Sequence, residues 1–280
     1  MFECVVNLSE GRAVFAQDLA RNGGPSLCDL HSDTSHHRSV VTLINEPSSL
    51  RRDTRALIDA AMRQLDLRDH RGVHPRFGVA DVVPFVALDP TCGDVARELR
   101  DETARWLAAT WSVPVFLYGP LPDGTTRSLP EVRRNAFRSL SPDFGPARVD
   151  PRRGASALGQ RSVLVAWNMW VRAITLEEGR RVARTLRDSS VRALAFAIPG
   201  YVQLSFNLVD PTNVGPSVVY DRVRATLRGG TIDHAELVGL IPRAVLEKES
   251  RTRWDQLGLR EASTIEAALE RRSAGLSAPL

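Results

Sequence analysis

The chain has 280 residues, of which 43% are hydrophobic and 25% charged, and these are the proportions of a globular protein with ample material for a core. No run of about 18 apolar residues occurs, which excludes a helical membrane span. The three cysteines lack CxxC spacing, so we expect neither disulfides nor thiolate zinc sites. Because no basic leader follows Met1, we expect a cytoplasmic protein.

The net charge of +4 comes almost entirely from arginine, since Lys248 is the only lysine. The arginines are spread along predicted helices and do not form lysine-rich clusters with interleaved aromatic residues, so we expect no nucleic-acid partner. Either this is simple compositional bias, or some guanidinium groups face an anionic small-molecule substrate.

Hydrophobic periodicity predicts the same order of elements twice along the chain. Residues 2–88 show the βαββαβ order of a ferredoxin-like plait, and residues 162–240 repeat it without visible sequence identity. We therefore expect an α/β fold with two βαββαβ subdomains. The predicted strands are 2–7, 26–33, 38–45, 79–88, 114–118, 162–171, 192–198, 201–209 and 232–240, and the predicted helices are 12–22, 48–65, 92–109, 130–138, 175–188 and 214–228.

Two segments depart from this pattern. Pro84 lacks a backbone donor and predicts a bulge or an edge position for strand 79–88. Residues Ser141–Gln160 are rich in Gly, Pro, Ser and Arg and show no apolar periodicity. A segment of this length indicates a linker or a binding loop.

The stretch DLHSDTSHHR, residues 29–38, concentrates polar chemistry on one predicted strand. Asp29, His31 and Asp33 share a strand face because side chains alternate with a period of two, and such a face is expected to line a cleft. His36 and His37 follow in a turn. They can be metal ligands or an ordinary solvated turn, although no established metal-binding spacing is present.

A second candidate lies in RGVHPRF, residues 71–77. His74 precedes a proline, so its backbone is held extended ahead of a strand. A histidine presented in this way suits a general acid–base group, and it can equally cap a backbone carbonyl. Asn7 and Glu10, at the end of the first strand, either belong to a helix N-terminus or line the same cleft.

Seven segments follow one another along the chain: ECVVNLSEG, HPRFGVADVVPFV, FLYG, LPEVRR, PDFGP, GASALGQRSVLVAWN and LVGLIP. In this order they resemble the glutamate formiminotransferase family. The resemblance runs from about Phe2 to Pro242. It covers the transferase portion and not the cyclodeaminase domain that some members carry.

The resemblance implies two α/β subdomains whose mixed sheets face each other across a folate-binding tunnel, in a homodimer. It places the subdomain boundary near Val163, which gives an N-terminal subdomain at 1–163, a C-terminal subdomain at 164–250, and a C-terminal helix and tail at 251–280. It also implies transfer of a formimino group from N-formimino-L-glutamate to N5 of tetrahydrofolate, with release of L-glutamate, in histidine degradation. Tetrahydrofolate is then a co-substrate, and no metal is expected.

The same resemblance assigns residues to roles. His74 matches the catalytic histidine, and Asp29, His31 and Asp33 belong to the catalytic centre around it. The expected substrate-binding residues are Asn7, Glu10, Arg38, Arg76 and Gly78. The expected folate-binding loop consists of Gly145, Pro146, Ala147, Arg148, Val149, Asp150, Pro151, Arg152, Arg153 and Gly154, where Arg148, Arg152 and Arg153 are expected to meet the folate glutamate carboxylate.

One departure from the family pattern affects the catalytic centre. The family has Asp-Val-Asp where this chain has Asp29-Leu30-His31, and the second aspartate is the one expected to partner the catalytic histidine. A carboxylate partner for His74 must then come from Asp29 or Asp33. Two alternatives follow: a folate-binding relative without transfer activity, or a diverged metal-dependent hydrolase that uses His31, His36 and His37.

Overall fold

Apolar residues alternate along the strands and recur every three or four positions along the helices, as the sequence predicts. The computed structural model describes residues 1–278. Contacts divide the chain into two compact units, one containing Met1–Val163 and the other Leu164–Ser277.

The first unit is built on a mixed sheet of seven strands within residues 1–163, in the order β2-β3-β1-β4-β7-β5-β6. The strands β2, β3, β1 and β4 pair antiparallel, with β1 and β3 in the centre, which is the ferredoxin-like arrangement. Its elements are β1 (Phe2–Leu8), α1 (Ala13–Ala20), β2 (Leu27–Asp33), β3 (Arg38–Asn45), α2 (Pro47–Gln64), β4 (Ala80–Ala87), α3 (Gly93–Trp111), β5 (Val115–Pro120), β6 (Thr126–Arg127), α4 (Leu129–Asn135) and β7 (Ser156–Gln160).

The core of the first unit lies between this sheet and its helices. Cys4 and Val6 alternate along β1 and are fully buried, as are Leu50, Leu57 and Ile58 on one side of α2. The alternation leaves Asn7 on the opposite side of the strand from this core. The polar residues that the sequence singled out therefore lie away from the main apolar layer.

The second unit has a four-stranded antiparallel sheet within residues 164–277, in the order β11-β8-β10-β9. The first and third strands of the repeat again lie in the centre, so both predicted βαββαβ plaits are confirmed. Its elements are β8 (Val165–Arg172), α5 (Leu176–Leu186), β9 (Val191–Ile198), β10 (Tyr201–Leu208), α6 (Pro216–Thr226), β11 (Thr231–Val238), α7 (Arg243–Leu246), α8 (Trp254–Leu257) and α9 (Ile265–Ser273).

The structure corrects three expectations. The end of the predicted loop Ser141–Gln160 is the strand β7, which lies parallel to β4 and β5. Its small residues hide the strand signal but fit the sheet, because a Cβ on Gly159 would lie 2.0 Å from the Tyr118 ring. The edge alternative for Pro84 is wrong, since β4 is a central strand, whereas the predicted bulge in this strand is present in its pairing with β1, at Asp81.

The third correction concerns the C-terminal segment. The single polar helix expected after residue 250 is instead a series of short turns with α8 and α9, and Leu257 and Leu259 belong to the core of the second unit. Positions 279 and 280 of the predicted tail lie outside the described residues. Among residues 1–278, no helix has the length and apolar character that crossing a membrane requires.

Candidate functional site

One edge of the first sheet gathers the polar segments that the sequence singled out. The register pairs Leu8, at the end of β1, with Ser39 of β3 and Ala80 of β4. The turn between β2 and β3 opens at the same edge. The Val73 N–H donates to the Ser35 carbonyl at 3.0 Å, which joins the segment before β4 to that turn. Residues distant in sequence therefore meet at this edge.

A buried carboxylate organises the edge. The pairing of β1 with β4 shifts by one residue at Asp81, and such bulges redirect a side chain. Asp81 forms ion pairs with Arg38 and with Arg133, the latter at 2.7 Å, and it accepts the Phe77 N–H at 2.6 Å. Arg38 also donates to Asn7 Oδ1 at 2.9 Å. Burial by itself raises the pKa of a carboxyl group, but the two guanidinium groups outweigh burial and lower the pKa of Asp81.

His74 lies beside this network and is partly exposed. Its Nδ1 lies 2.7 Å from the Pro75 carbonyl, which can only accept, so Nδ1 carries the proton and Nε2 carries the lone pair. Its ring meets the His36 ring edge to face, with centroids 5.5 Å apart. Burial, and next the charge of Arg38, lower the pKa of His74 to about 3, and the charge of Asp81 opposes both. The imidazole is therefore neutral at pH 7.

The ring that contacts His74 is positioned by Asp33. One oxygen of Asp33 accepts the backbone N–H groups of Ser35 and His36 at 2.7 and 2.9 Å. The other oxygen lies 3.9 Å from His36 Nε2. Of the three polar residues predicted on strand β2, Asp33 is thus connected to the surroundings of His74 through the turn. Asp29 and His31 alternate with it in register along β2, the edge strand of the sheet.

A second buried carboxylate, Glu10, follows β1. It accepts hydrogen bonds from Arg12 Nε at 3.0 Å and Nη2 at 2.6 Å, and it lies 3.4 Å from His37 Nε2. Burial raises the pKa of Glu10, but the hydrogen bonds and charge of Arg12 outweigh burial and lower it. The His37 ring lies against His70, with centroids 4.7 Å apart. Burial, and next the charge of Arg76, lower the pKa of His70 to about 4.

The predicted folate-binding loop is anchored to the segment that carries His74. Gly78 forms a backbone bridge with Gly154, and the Val79 N–H donates to the Arg153 carbonyl at 2.9 Å. A Cβ on Gly78 would lie 2.1 Å from the Ala155 carbonyl oxygen, so this close approach requires glycine. The end of the loop therefore joins the chain only a few residues after His74.

The arginines of this loop differ in their contacts. Arg152 Nε lies 3.3 Å from Asp66, and Arg153 Nη1 lies 3.4 Å from Asp150. Arg148 is exposed and forms no ion pair with any residue in the range 1–278. Arg148 is thus the guanidinium group of the loop that is most available to an anion. The other exposed loop residues are Gly145, Pro146, Ala147, Val149, Pro151 and Arg152.

Sequence reasoning assigned no site role to Asp81 or Arg133, and it considered His36 only as a metal ligand or a residue of a solvated turn. An aspartate inside the apolar stretch VADVVPFV was a usable signal, because a buried acid needs a partner. Nothing local connects Arg133 to this edge of the sheet. Within the described part of the chain, no three His, Cys, Asp or Glu side chains are arranged to hold a metal ion.

The site combines a neutral imidazole with guanidinium groups at the edge of a ferredoxin-like plait. An α/β protein with such a site can move a proton on an anionic substrate. The family profile described as "Formiminotransferase domain, N-terminal subdomain" matches residues 1–161. The chain belongs to the formiminotransferase family of enzymes.

Curated relatives agree with this assignment. A glutamate formimidoyltransferase from Thermoplasma acidophilum is 31% identical over 97% of this chain and 98% of its own length. One from Streptococcus pyogenes serotype M1 is 28% identical over 87% of this chain and 90% of its own. The formimidoyltransferase-cyclodeaminase of Rattus norvegicus is 28% identical over 88% of this chain, and the match covers 51% of that protein.

Proposed function

We propose that this protein transfers the formimino group from N-formimino-L-glutamate to N5 of tetrahydrofolate and releases L-glutamate. The observation that carries the proposal is the state of His74, a neutral ring with its lone pair on Nε2 beside Arg38. The relative from Thermoplasma acidophilum, which spans nearly the same length, is named for this type of transfer.

The proposed reaction needs one proton to be moved twice. N5 attacks the formimino carbon and gives a tetrahedral intermediate, and His74 Nε2 takes the proton that N5 loses. The same ring then donates that proton to the glutamate nitrogen as the bond from carbon to this nitrogen breaks. The products are 5-formiminotetrahydrofolate and L-glutamate, so a single imidazole serves as base and then as acid.

The charges around His74 prepare it for this role. Arg38 lowers the pKa of the ring, whereas Asp81 opposes it. A bound anionic substrate offsets the charge of Arg38 and raises the pKa of His74 toward the neutral range, where proton transfer is most effective. The Asp33–His36 pair then holds the neighbouring ring in place.

For the folate we propose that the loop Gly145–Gly154 binds its glutamate tail, with Arg148 as the main cationic contact. Its support is the exposure of Arg148 and the anchoring of the loop next to the His74 segment. We also propose that the enzyme acts in histidine degradation, in the cytoplasm and as a homodimer, and light scattering tests the oligomeric state.

The test is a transfer assay on the purified protein with formiminoglutamate and tetrahydrofolate. After acidification, the absorbance of 5,10-methenyltetrahydrofolate reports the product. We expect turnover in the wild type, a loss of about 10²–10⁴-fold in His74→Ala, and no change in the surface variant Arg97→Gln.

Two results would contradict the proposal. Folate binding without turnover from pH 5 to 9 would support a binding protein that lacks transfer activity. Release of glutamate without tetrahydrofolate, dependent on added metal, would support a hydrolase.

A further inference from the structure

A small cavity lies beside the His74 centre within the first unit. Its volume is about 240 Å³, and its lining residues are Arg12, Thr34, His37 and Arg71. Pockets for drug-sized ligands typically measure about 300–1,000 Å³, so this cavity suits a smaller molecule than a folate. It is close to the proposed chemistry, because Arg71 shares a segment with His74.

Two glycines bring three loops together to form the cavity. A Cβ on Gly11 would lie 2.2 Å from the Asp33 carbonyl oxygen, and a Cβ on Gly72 would lie 1.9 Å from the His36 carbonyl oxygen. His37 adopts a positive φ of 49°, which few non-glycine residues do. The cavity wall is thus fixed by close backbone contacts between loops.

Two arginines that line the cavity have guanidinium N–H groups that take no part in ion pairs. Glu10 engages Nε and Nη2 of Arg12, so Nη1 takes no part in that ion pair. Arg71 uses Nη1 for the carbonyl oxygens of Arg68 and His70 and, among residues 1–278, has no carboxylate partner. Its Nε and Nη2 therefore remain for a ligand.

The other groups around the cavity are a histidine ring, a hydroxyl group and a carboxylate that partly offsets the charge of Arg12. His37 Nδ1 accepts the Arg71 backbone N–H at 3.2 Å, so its proton is on Nε2, toward Glu10. Thr34 adds a hydroxyl group. Asp69 acts on Arg12 electrostatically and reduces its positive field. The net character is that of an anion site whose most available guanidinium group is that of Arg71.

We propose that this cavity binds the carboxylate groups of a glutamate-type dicarboxylic acid, with Arg71 and Arg12 as its cationic contacts. On the proposed function, on which this assignment rests, the ligand is the glutamyl part of the donor and the glutamate released from it. Arg71 can bind one carboxylate with two parallel hydrogen bonds through Nε and Nη2, and Arg12 Nη1 offers a charged donor to a second carboxylate, so the pair favours a dicarboxylate over a monocarboxylate.

Calorimetric titration of the protein with L-glutamate tests the site without requiring turnover. We expect binding to the wild type and to His74→Ala, at least tenfold weaker binding of L-glutamine, and at least tenfold weaker binding of L-glutamate to Arg71→Gln. The surface variant Arg97→Gln, which loses an exposed ion pair with Asp94, is expected to bind like the wild type.

Arg12→Gln leaves the buried Glu10 without its main partner and can disturb folding, so Arg71→Gln carries the test, with circular dichroism as the check. Unchanged glutamate affinity in Arg71→Gln would overturn the site, and so would inorganic phosphate that displaces glutamate with equal affinity. Glutamate binding that depends on Arg71, in a protein without transfer activity, would support the site and contradict the proposed function. Transfer with an unchanged KM for formiminoglutamate in Arg71→Gln would contradict the site and support the proposed function.

Discussion

Replacing Asp81 by asparagine removes one negative charge from the fully buried point where Arg38 and Arg133 meet. Asparagine keeps the shape of the side chain and can still accept the Phe77 N–H. The two guanidinium groups, however, lose their common counter-charge. Removing one partner of a buried ion pair costs about 3–5 kcal/mol. Because 26% of the Arg133 side chain is exposed, solvent screens part of the loss, and we expect about 3 kcal/mol.

Hydrogen exchange followed by mass spectrometry measures the loss of stability separately for each of the two compact units. Peptides from β3 and β4 are expected to lose protection in Asp81→Asn, while peptides from Leu164–Ser277 serve as an internal control. Asp59→Asn is the matched variant, since Asp59 pairs with Arg63 on the surface of α2 at 2.9 Å. An exposed helix pair of this kind contributes about 0.3–0.5 kcal/mol.

The reasoning would be refuted if Asp81→Asn destabilised the first unit by no more than Asp59→Asn does. The same variant also removes the negative charge that raises the pKa of His74. The acid limb of the pH–rate profile is therefore expected to move to lower pH. A shift to higher pH would show that Asp81 does not act on His74 in this way.

Three further predictions concern pH and the neighbouring residues. The folded-state pKa values of His70, about 4, and His74, about 3, lie below the ordinary value of 6.5, so the unfolded chain binds more protons below that pH. The contribution of these two histidines to the free energy of unfolding is therefore fully present above pH 6.5 and falls as the pH drops toward 4. The fall is at most about 1.4 kcal/mol per pH unit for each histidine, and less for the partly exposed His74. Urea titrations at pH 7.5, 6 and 5 measure it. Asp33→Ala is expected to lower kcat about tenfold or more, because it removes the oxygen that holds the turn next to His74, whereas His31→Ala is expected to change kcat less, as steady-state kinetics would show. Arg148→Gln is expected to raise the KM for tetrahydrofolate about tenfold and leave kcat nearly unchanged.

Each of these predictions has a result that contradicts it. A urea midpoint that stays constant from pH 7.5 to 5 would show that His70 and His74 do not take up protons on unfolding. A larger loss of kcat in His31→Ala than in Asp33→Ala would place the essential group at His31 and not at Asp33. Arg152→Gln is the matched control for Arg148→Gln, because Arg152 already contacts Asp66, and an equal rise in KM for both variants would remove the special role of Arg148.

Much of the fold follows from local sequence signals. Both plaits were predictable because their strands alternate apolar and polar residues and their helices have one apolar side. The strand β7 was missed because Ser156–Gln160 is short, has no β-branched residue and is largely buried, so it shows no alternation. The edge alternative for Pro84 was wrong because a local rule cannot show which strands pair with β4, although the strand does contain a bulge.

The candidate site was predictable in part for the same reason. His74 and Glu10 lie in distinctive local segments, so the sequence alone singled them out as candidates. The contacts of Asp81 with Arg38 and Arg133 join residues 43 and 52 positions apart. They depend on a one-residue bulge in the pairing of two strands, and no local pattern reveals such a register.

The position of His31 does not have to end catalysis in this chain. Asp33 lies two residues further along β2 and reaches the surroundings of His74 through the turn and the His36 ring. Arg38, which begins the next strand, joins Asn7 to Asp81 and sets the charge beside His74. Its planar guanidinium group serves both partners at once, which the single ammonium group of lysine does less well. The high arginine content of the chain is thus consistent with a centre that fixes its geometry and attracts anions with the same side chains.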